Sequence, residues 1–190
     1  RVFELLFQNH RSNSMNLIIL SDTHIKQGHS LLSRLPEELI SIIKSSDLII
    51  HAGDFETLTC YNELEALGKL AAVHGDTDSP ELMKFLPERK VINIEEIKIG
   101  VIHKGQLTSE NTDGLRYLAK EMGVDVLIFG HFHHPIAHKS EVLLLSPGSA
   151  TVPGIAEPSA IWLEIKNKTV TGKIIRCKDN SCTYFEFEKH

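Results

Sequence analysis

Seven acidic and imidazole side chains follow short apolar runs in this chain, and together they make a donor set for cations. Asp22 and His24 follow the run at 17–20, Asp54 the run at 48–50, Asp76 that at 70–73, His103 that at 99–102, and His131 and His133 that at 126–129. The donors are oxygen and nitrogen without sulfur. Such a set suits Mn²⁺ first, and Fe, Co²⁺, Ni²⁺ or Zn²⁺ besides, rather than Ca²⁺ or a closed structural zinc. Seven donors suffice for two divalent ions, and the commonest work of two ions roughly 3.5–4 Å apart is phosphoester or amide hydrolysis.

The spacing within the set supports a shared task. Asp22 and His24 stand two apart, as do His131 and His133, and side chains at i and i+2 share a face in extended backbone. Gly53, Gly75 and Gly130 immediately precede Asp54, Asp76 and His131, so a sharp turn is expected before each of these donors. A single histidine at a strand end is more often a hydrogen-bonded residue than a ligand; the weight lies in seven donors at five strand ends. His51 reads either as core or as a residue that orients a ligand through its ring N–H. His74, His134 and His138 read as surface residues, with His134 at a cleft mouth.

The elements that must position these groups are legible in outline. Short runs of Ile, Leu and Val read as buried strands, and in open α/β sheets ligands sit beyond the carboxyl ends of the strands. Helices are expected at 36–44, 61–70, 80–86 and 109–122, with Pro36 and Pro80 near starts and Gly123 at a stop. Further strands are expected at 141–145, 160–165, 169–175 and 183–187, with tight turns at Asn167-Lys168 and Asp179-Asn180. This β-rich tail is expected to supply a second sheet of the same domain. Residues 1–14 read as a leader foreign to the rest, because Glu4-Leu5-Leu6-Phe7-Gln8 resembles a protease-cleavage linker and Met15 opens the first strand. As a signal peptide the segment would have a short apolar core broken by Glu4. Residues 15–190 then form a single domain.

Composition narrows the function. The chain has 190 residues, 42% of them hydrophobic, and a net charge of −5, which suits one domain with a sizeable core and argues against a broad basic face for nucleic acid. No apolar run approaches the roughly 18 residues that span a bilayer. Cys60, Cys177 and Cys182 provide neither a disulfide framework nor a zinc site, and free thiols in a reducing, cytoplasmic setting are expected.

The ordered blocks Asp22-x-His24, Gly53-Asp54, Gly75-Asp76-x-Asp78, His103 and Gly130-His131-x-His133 resemble the calcineurin-like metallophosphoesterase superfamily, and most closely its small bacterial and archaeal phosphodiesterase branch. Ser146-Pro147-Gly148-Ser149 resembles a loop these proteins carry after the last block. The resemblance implies an α/β fold, a four-layer αββα sandwich of two mixed sheets flanked by helices. It implies Asp22, His24 and His133 around a first ion, Asp76, His103 and His131 around a second, and Asp54 bridging both. Asp54, Asp76 and His103 would be the catalytic residues, and a hydroxide bridging the ions would attack phosphorus in line. The substrate implied is a small phosphodiester or nucleotide-type molecule, with no membrane partner and a homodimer as one assembly.

Three departures from the family pattern stand out. Asp76 occupies a position where the family usually has Asn, which adds a negative charge and is expected to disfavour dianionic monoesters relative to diesters. Thr77 stands where relatives with strong monoesterase activity have His, and Gly154 follows Pro153 where an Arg is often seen, so good leaving groups are expected to be preferred. Lys104 is either a phosphate contact or a solvated lysine. The alternatives to a phosphodiesterase are a scaffold of the retromer-subunit type and a phosphomonoesterase or nucleotide pyrophosphatase on the same core. The cleft walls are expected from the loops at 25–33, 104–109 and 149–159.

Overall fold

A computed structural model describes residues 14–104, 111–152, 154–178 and 181–190. Along the chain the elements are β1 (Ser14–Leu20), α1 (Glu37–Ser45), β2 (Leu48–His51), α2 (Leu58–Glu65), β3 (Leu70–Ala72), α3 (Pro80–Phe85), β4 (Arg89–Ile94) and β5 (Ile97–Ile102), then α4 (Thr112–Met122), β6 (Val126–Ile128), β7 (Pro135–Lys139), β8 (Leu143–Pro147), β9 (Ser159–Lys166), β10 (Thr169–Arg176) and β11 (Cys182–Glu188). They build two mixed sheets, one ordered β11-β10-β9-β1-β2-β3 and the other β4-β5-β6-β8-β7. β1, β2 and β3 are mutually parallel, as are β5, β6 and β8.

The apolar runs are continuous because both faces of the central strands are covered. Leu17, Ile19, Leu48 and Ile50 face inward with Ile99, Val101, Val126, Ile128, Leu143 and Leu145 of the other sheet. Their neighbours Ile18, Leu20 and Ile49 point the other way, onto Leu39 and Ile43 of α1, Leu64 of α2 and Leu82 of α3. Leu127 and Leu144 pack on Leu115 and Ala119 of α4. The result is the four-layer αββα sandwich. Each fully buried Leu or Ile contributes roughly 1.5–3 kcal/mol of transfer free energy, so the layer between the sheets fixes how their strand ends face one another.

Some elements differ from the sequence expectation. The expected helix at 61–70 begins earlier, where the Thr57 side chain accepts from Cys60 N–H, and it stops at Glu65. The helix expected from 109 starts at Thr112, capped by Asn111; residues 109 and 110, like the Asp179-Asn180 turn, lie outside the described residues, as do residues 1–13. β4 and β7 carry no strand signal of their own because both are sheet edges and lack a clean apolar alternation. The tail does not form the second sheet. Only β7 and β8 join that sheet, while β9 pairs antiparallel with β1, Leu163 opposite Leu17, so that β9–β11 widen the first one. The Asn167-Lys168 turn is present, with Asn167 at φ +56°. Among the described residues no helix is long and apolar enough to cross a membrane.

Candidate metal centre

The loops that leave β1, β2, β3, β5 and β6 bring all seven predicted donors into one connected cluster. Asp22, His24 and His133 form one group whose donor atoms lie within 4.8 Å of one another, and Asp54, His103 and His131 form a second. Asp76 joins at the rim, its Oδ2 3.3 Å from His131 Nδ1. Asp54, expected to bridge both ions, groups here with His103 and His131; Asp76, expected at the same ion, is half exposed and also paired with Lys104, Nζ to Oδ2 3.0 Å.

The backbone there is held in a costly conformation. Among the described residues, six of the eight non-glycine residues with positive φ are Asp22, His24, Asp54, Glu56, His131 and His133, and each such residue costs of order 1–3 kcal/mol and persists only where its surroundings impose it. The surroundings do. Asp22 N–H donates to Gly53 carbonyl at 2.9 Å and His24 N–H to Asp54 carbonyl at 3.0 Å. Ser149 Oγ donates to the Asp22 carbonyl at 2.7 Å, and Thr151 Oγ1 to the Thr23 carbonyl at 2.6 Å.

Of the three glycines expected at sharp turns, only Gly53 needs positive φ, at +95°. Gly75 and Gly130 are required for another reason. A Cβ on Gly130 would collide with Ser21 Oγ and Asp22 Oδ2, and one on Gly75 with the Asp54 carboxylate.

The donor atoms converge because their other ends are committed. The Nδ1 atoms of His24, His133 and His103 lie 2.8 Å from Glu56 Oε1, Val152 carbonyl and Ala52 carbonyl. These partners only accept, so each Nδ1 carries a proton and each Nε2 faces inward, where it offers a lone pair whenever the ring is neutral. Asp54 Oδ1 accepts from Thr77 N–H at 2.9 Å, which leaves Oδ2 between the groups, 3.1 Å from His103 Nε2 and 3.6 Å from His24 Nε2. Asp22 Oδ2 accepts from Ser21 Oγ and His131 N–H, and its Oδ1 lies 3.3 Å from His133 Nε2.

This arrangement fits divalent ions. The Nε2 atoms of His24 and His133 stand 3.2 Å apart, a repulsive contact of lone pairs unless a cation or proton lies among them. His103 Nε2 is buried and makes no well-aligned hydrogen bond. The surroundings bias His103 and His133 toward their protonated forms. Burial alone would depress His103, but the Asp54 carboxylate and the charge of Asp22 raise it to about 9. A hydrogen bond to Asp22 raises His133. Burial, with the charges of His103 and Lys104, lowers His131. Burial would raise Asp54, yet His103, the Thr77 N–H and His24 together hold its carboxyl below the ordinary range.

An ion held by His103 Nε2 would therefore have to displace its proton. At pH 7.5, binding is expected to release about one proton from this group, and apparent affinity to climb with pH until about 9. Calorimetry in buffers of different ionisation enthalpy measures this; binding with no proton release contradicts it.

Several supporting residues escaped the sequence reading. Glu56 anchors His24, and nothing in its spacing marks it. Asp78, visible only as part of Gly75-Asp76-x-Asp78, is buried and accepts N–H bonds from Asp54 at 3.1 Å, Gly75 at 2.7 Å and Glu56 at 2.8 Å. His51 does not orient a ligand directly. Its Nδ1 accepts from Gly53 N–H, so Nε2–H donates to Thr23 Oγ1 at 3.0 Å, and its ring stacks on Phe55. Burial lowers its pKa to about 3, so it is a neutral brace between the loops that carry Asp22 and Asp54.

The family model of the calcineurin-like phosphoesterase superfamily domain matches residues 15–168. A probable metallophosphoesterase of Methanothermobacter thermautotrophicus is 35% identical over 172 residues, covering 90% of this chain and 98% of that protein. Another, of Methanocaldococcus jannaschii, is 39% identical over 158 residues, covering 82% of this chain and 78% of that protein. Among solved structures, Vacuolar Protein Sorting 29 from Cryptosporidium parvum superposes with a TM-score of 0.81 at 24% identity, covering 93% of this chain and 99% of that one. At that identity the likeness speaks for the fold alone.

Proposed function

This chain belongs to the calcineurin-like phosphoesterase superfamily, and from that premise we propose that it is a metal-dependent phosphodiesterase acting on a small diester or nucleotide-type substrate, with Mn²⁺ as its ion. The observation that carries the proposal is the position of Asp54. One carboxylate oxygen is tied to Thr77 N–H, and the other lies within 3.1–3.6 Å of an inward Nε2 from each donor group. A carboxylate so placed could serve ions in both groups, which supports reading Asp54 as a shared ligand. Asp22, His24 and His133 would hold one ion, and His103 and His131, with Asp76 at the rim, the other. When bound, such ions polarise phosphoryl oxygens and lower the pKa of water.

The chain's own groups explain which substrates suit the site. Thr77, in the position of a general acid, offers only a hydroxyl, 3.4 Å from His24 Nδ1. His131 is held toward its neutral form, and the positive side of the rim is Lys104. Neither Thr77 nor His131 is thus suited to protonate a leaving alkoxide, and substrates with good leaving groups should turn over fastest. A cytoplasmic setting belongs to the same reading, supported by the free thiols of Cys60, Cys177 and Cys182. Hydrolysis of bis(p-nitrophenyl) phosphate with added Mn²⁺ tests the proposal. Turnover that chelation abolishes supports it, whereas an inert protein that forms stable complexes with other chains supports a scaffold instead.

Lys104 changes the charge balance expected from the sequence. Asp76 adds a negative charge that repels dianionic phosphate, and Lys104, 3.0 Å away, offsets it. The two substitutions should therefore act in opposite directions. Asp76→Asn is expected to raise the ratio of p-nitrophenyl phosphate to bis(p-nitrophenyl) phosphate turnover, and Lys104→Met to lower it, each by about three- to tenfold, the effect of a charge near a partly exposed site. A ratio unmoved by Asp76→Asn contradicts the charge argument.

A further inference from the structure

We propose that the cavity adjoining His24 is an anion subsite, and that the preferred substrates are phosphodiesters whose non-reacting arm carries a second phosphate. The proposal rests on the phosphodiesterase reading and names the substrate class of that site. The cavity measures about 290 Å³, at the small end of ligand pockets, and His24 forms part of its wall. Lys26, His29 and Arg34 line it together with Thr151 and Val152. Among the described residues no carboxylate lines it, although the chain as a whole carries a net charge of −5.

Lys26 and Arg34 stand on a braced loop. His29 N–H donates to the Lys26 carbonyl in a turn that uses Gly28 at φ +82°. Ser30 Oγ and Leu31 N–H each reach one oxygen of Glu63 on α2, both at 2.6 Å. Leu31 and Leu35 are buried in the core beneath, and Arg34 N–H closes onto the Leu31 carbonyl. Glu63, the acid belonging to this loop, is thereby used up in holding its backbone.

Arg34 is left uncompensated. Arg89, Arg116 and Arg176 all bond to side-chain oxygens, while the Arg34 guanidinium has no partner among the described residues. An arginine fork beside a lysine on a fixed loop matches a phosphate group. The apolar surfaces of Ile25 and Val152 flank it, where the carbon skeleton linking two phosphates would lie. Val152 also accepts from His133 Nδ1, so one loop both anchors a donor of the first ion group and walls the subsite.

Calorimetric titration of the Mn²⁺-loaded protein with thymidine 3′,5′-bisphosphate and with thymidine 5′-monophosphate tests the inference without turnover. The bisphosphate is expected to bind at least about tenfold more tightly at low salt, the scale of charge-assisted phosphate contacts, and raised salt should erode the advantage. The double variant Lys26→Gln, Arg34→Gln is expected to erase it; both side chains are exposed, and a melting curve checks that the fold is kept. Equal binding of the two nucleotides by the unaltered protein, binding of neither, or an advantage that survives in the double variant overturns the subsite. Hydrolysis of bis(p-nitrophenyl) phosphate, which has no second phosphate, is measured separately. Failure there with bisphosphate preference intact sinks the diesterase reading and leaves the subsite standing.

Discussion

Asp54→Asn is expected to lower kcat/KM toward a phosphodiester by at least about 10³-fold, a loss of roughly 4 kcal/mol of transition-state stabilisation. It is also expected to drop metal content from two ions per chain to about one. The substitution keeps volume and shape. An asparagine oxygen can still accept from Thr77 N–H as Asp54 Oδ1 does, so the loop should keep its conformation. That same bond turns the NH₂ group to where Oδ2 now lies, facing the Nε2 atoms of His103 and His24. An amide NH₂ cannot coordinate a cation, and the shared position is lost. Metal analysis after dialysis, together with steady-state kinetics, measures both effects. Two ions retained with more than a tenth of the activity would show that Asp54 is not the bridge.

Asp78→Ala is expected to be the most damaging change to stability among residues that touch no substrate. Its carboxylate accepts from three backbone N–H groups, those of Asp54, Gly75 and Glu56, and the side chain is buried. Each buried donor left without a partner costs about 1–3 kcal/mol, so a loss of about 3 kcal/mol or more follows. In a domain of this size that is a fall of about 6–12 °C in Tm. Two of the three backbone groups belong to Asp54 and Glu56, which have φ of +61° and +73°. With the clamp gone, these strained residues can relax, so metal affinity should fall as well. Asp78→Asn keeps one accepting oxygen and should give an intermediate Tm, which preserves the test if the alanine variant does not fold. A Tm within about 2 °C of the parent for Asp78→Ala contradicts this account.

The sequence shows the parts of this site that depend on local pattern. Strands buried on both faces read as unbroken apolar runs, so β1, β2, β5 and β6 and the donors beyond their ends could be placed without coordinates. What could not be read depends on pairing at long range. β9 returns to β1 across more than a hundred residues, and nothing in the composition of the tail distinguishes that destination from the other sheet. The edge strands β4 and β7 have one side open and lose the alternation that marks a strand.

Within the site the same division appears. Asp22 and His24 announce themselves by spacing, whereas Glu56 becomes meaningful only when His24 arrives beside it. Lys104 looks like a surface lysine until β3 and β5 bring Asp76 to it. The three glycines stand out in the sequence, but Gly75 and Gly130 serve close approach of backbone to carboxylates rather than a turn, a distinction that only neighbouring atoms reveal.

The central claim is that Asp54 stands between two cations. Anomalous diffraction from crystals soaked in MnCl₂ tests it most directly. The account predicts two manganese peaks roughly 3.5–4 Å apart, one among Asp22, His24 and His133, the other beside His103 and His131, with an Asp54 oxygen touching both. A single peak, or two peaks that share no Asp54 oxygen, would contradict it.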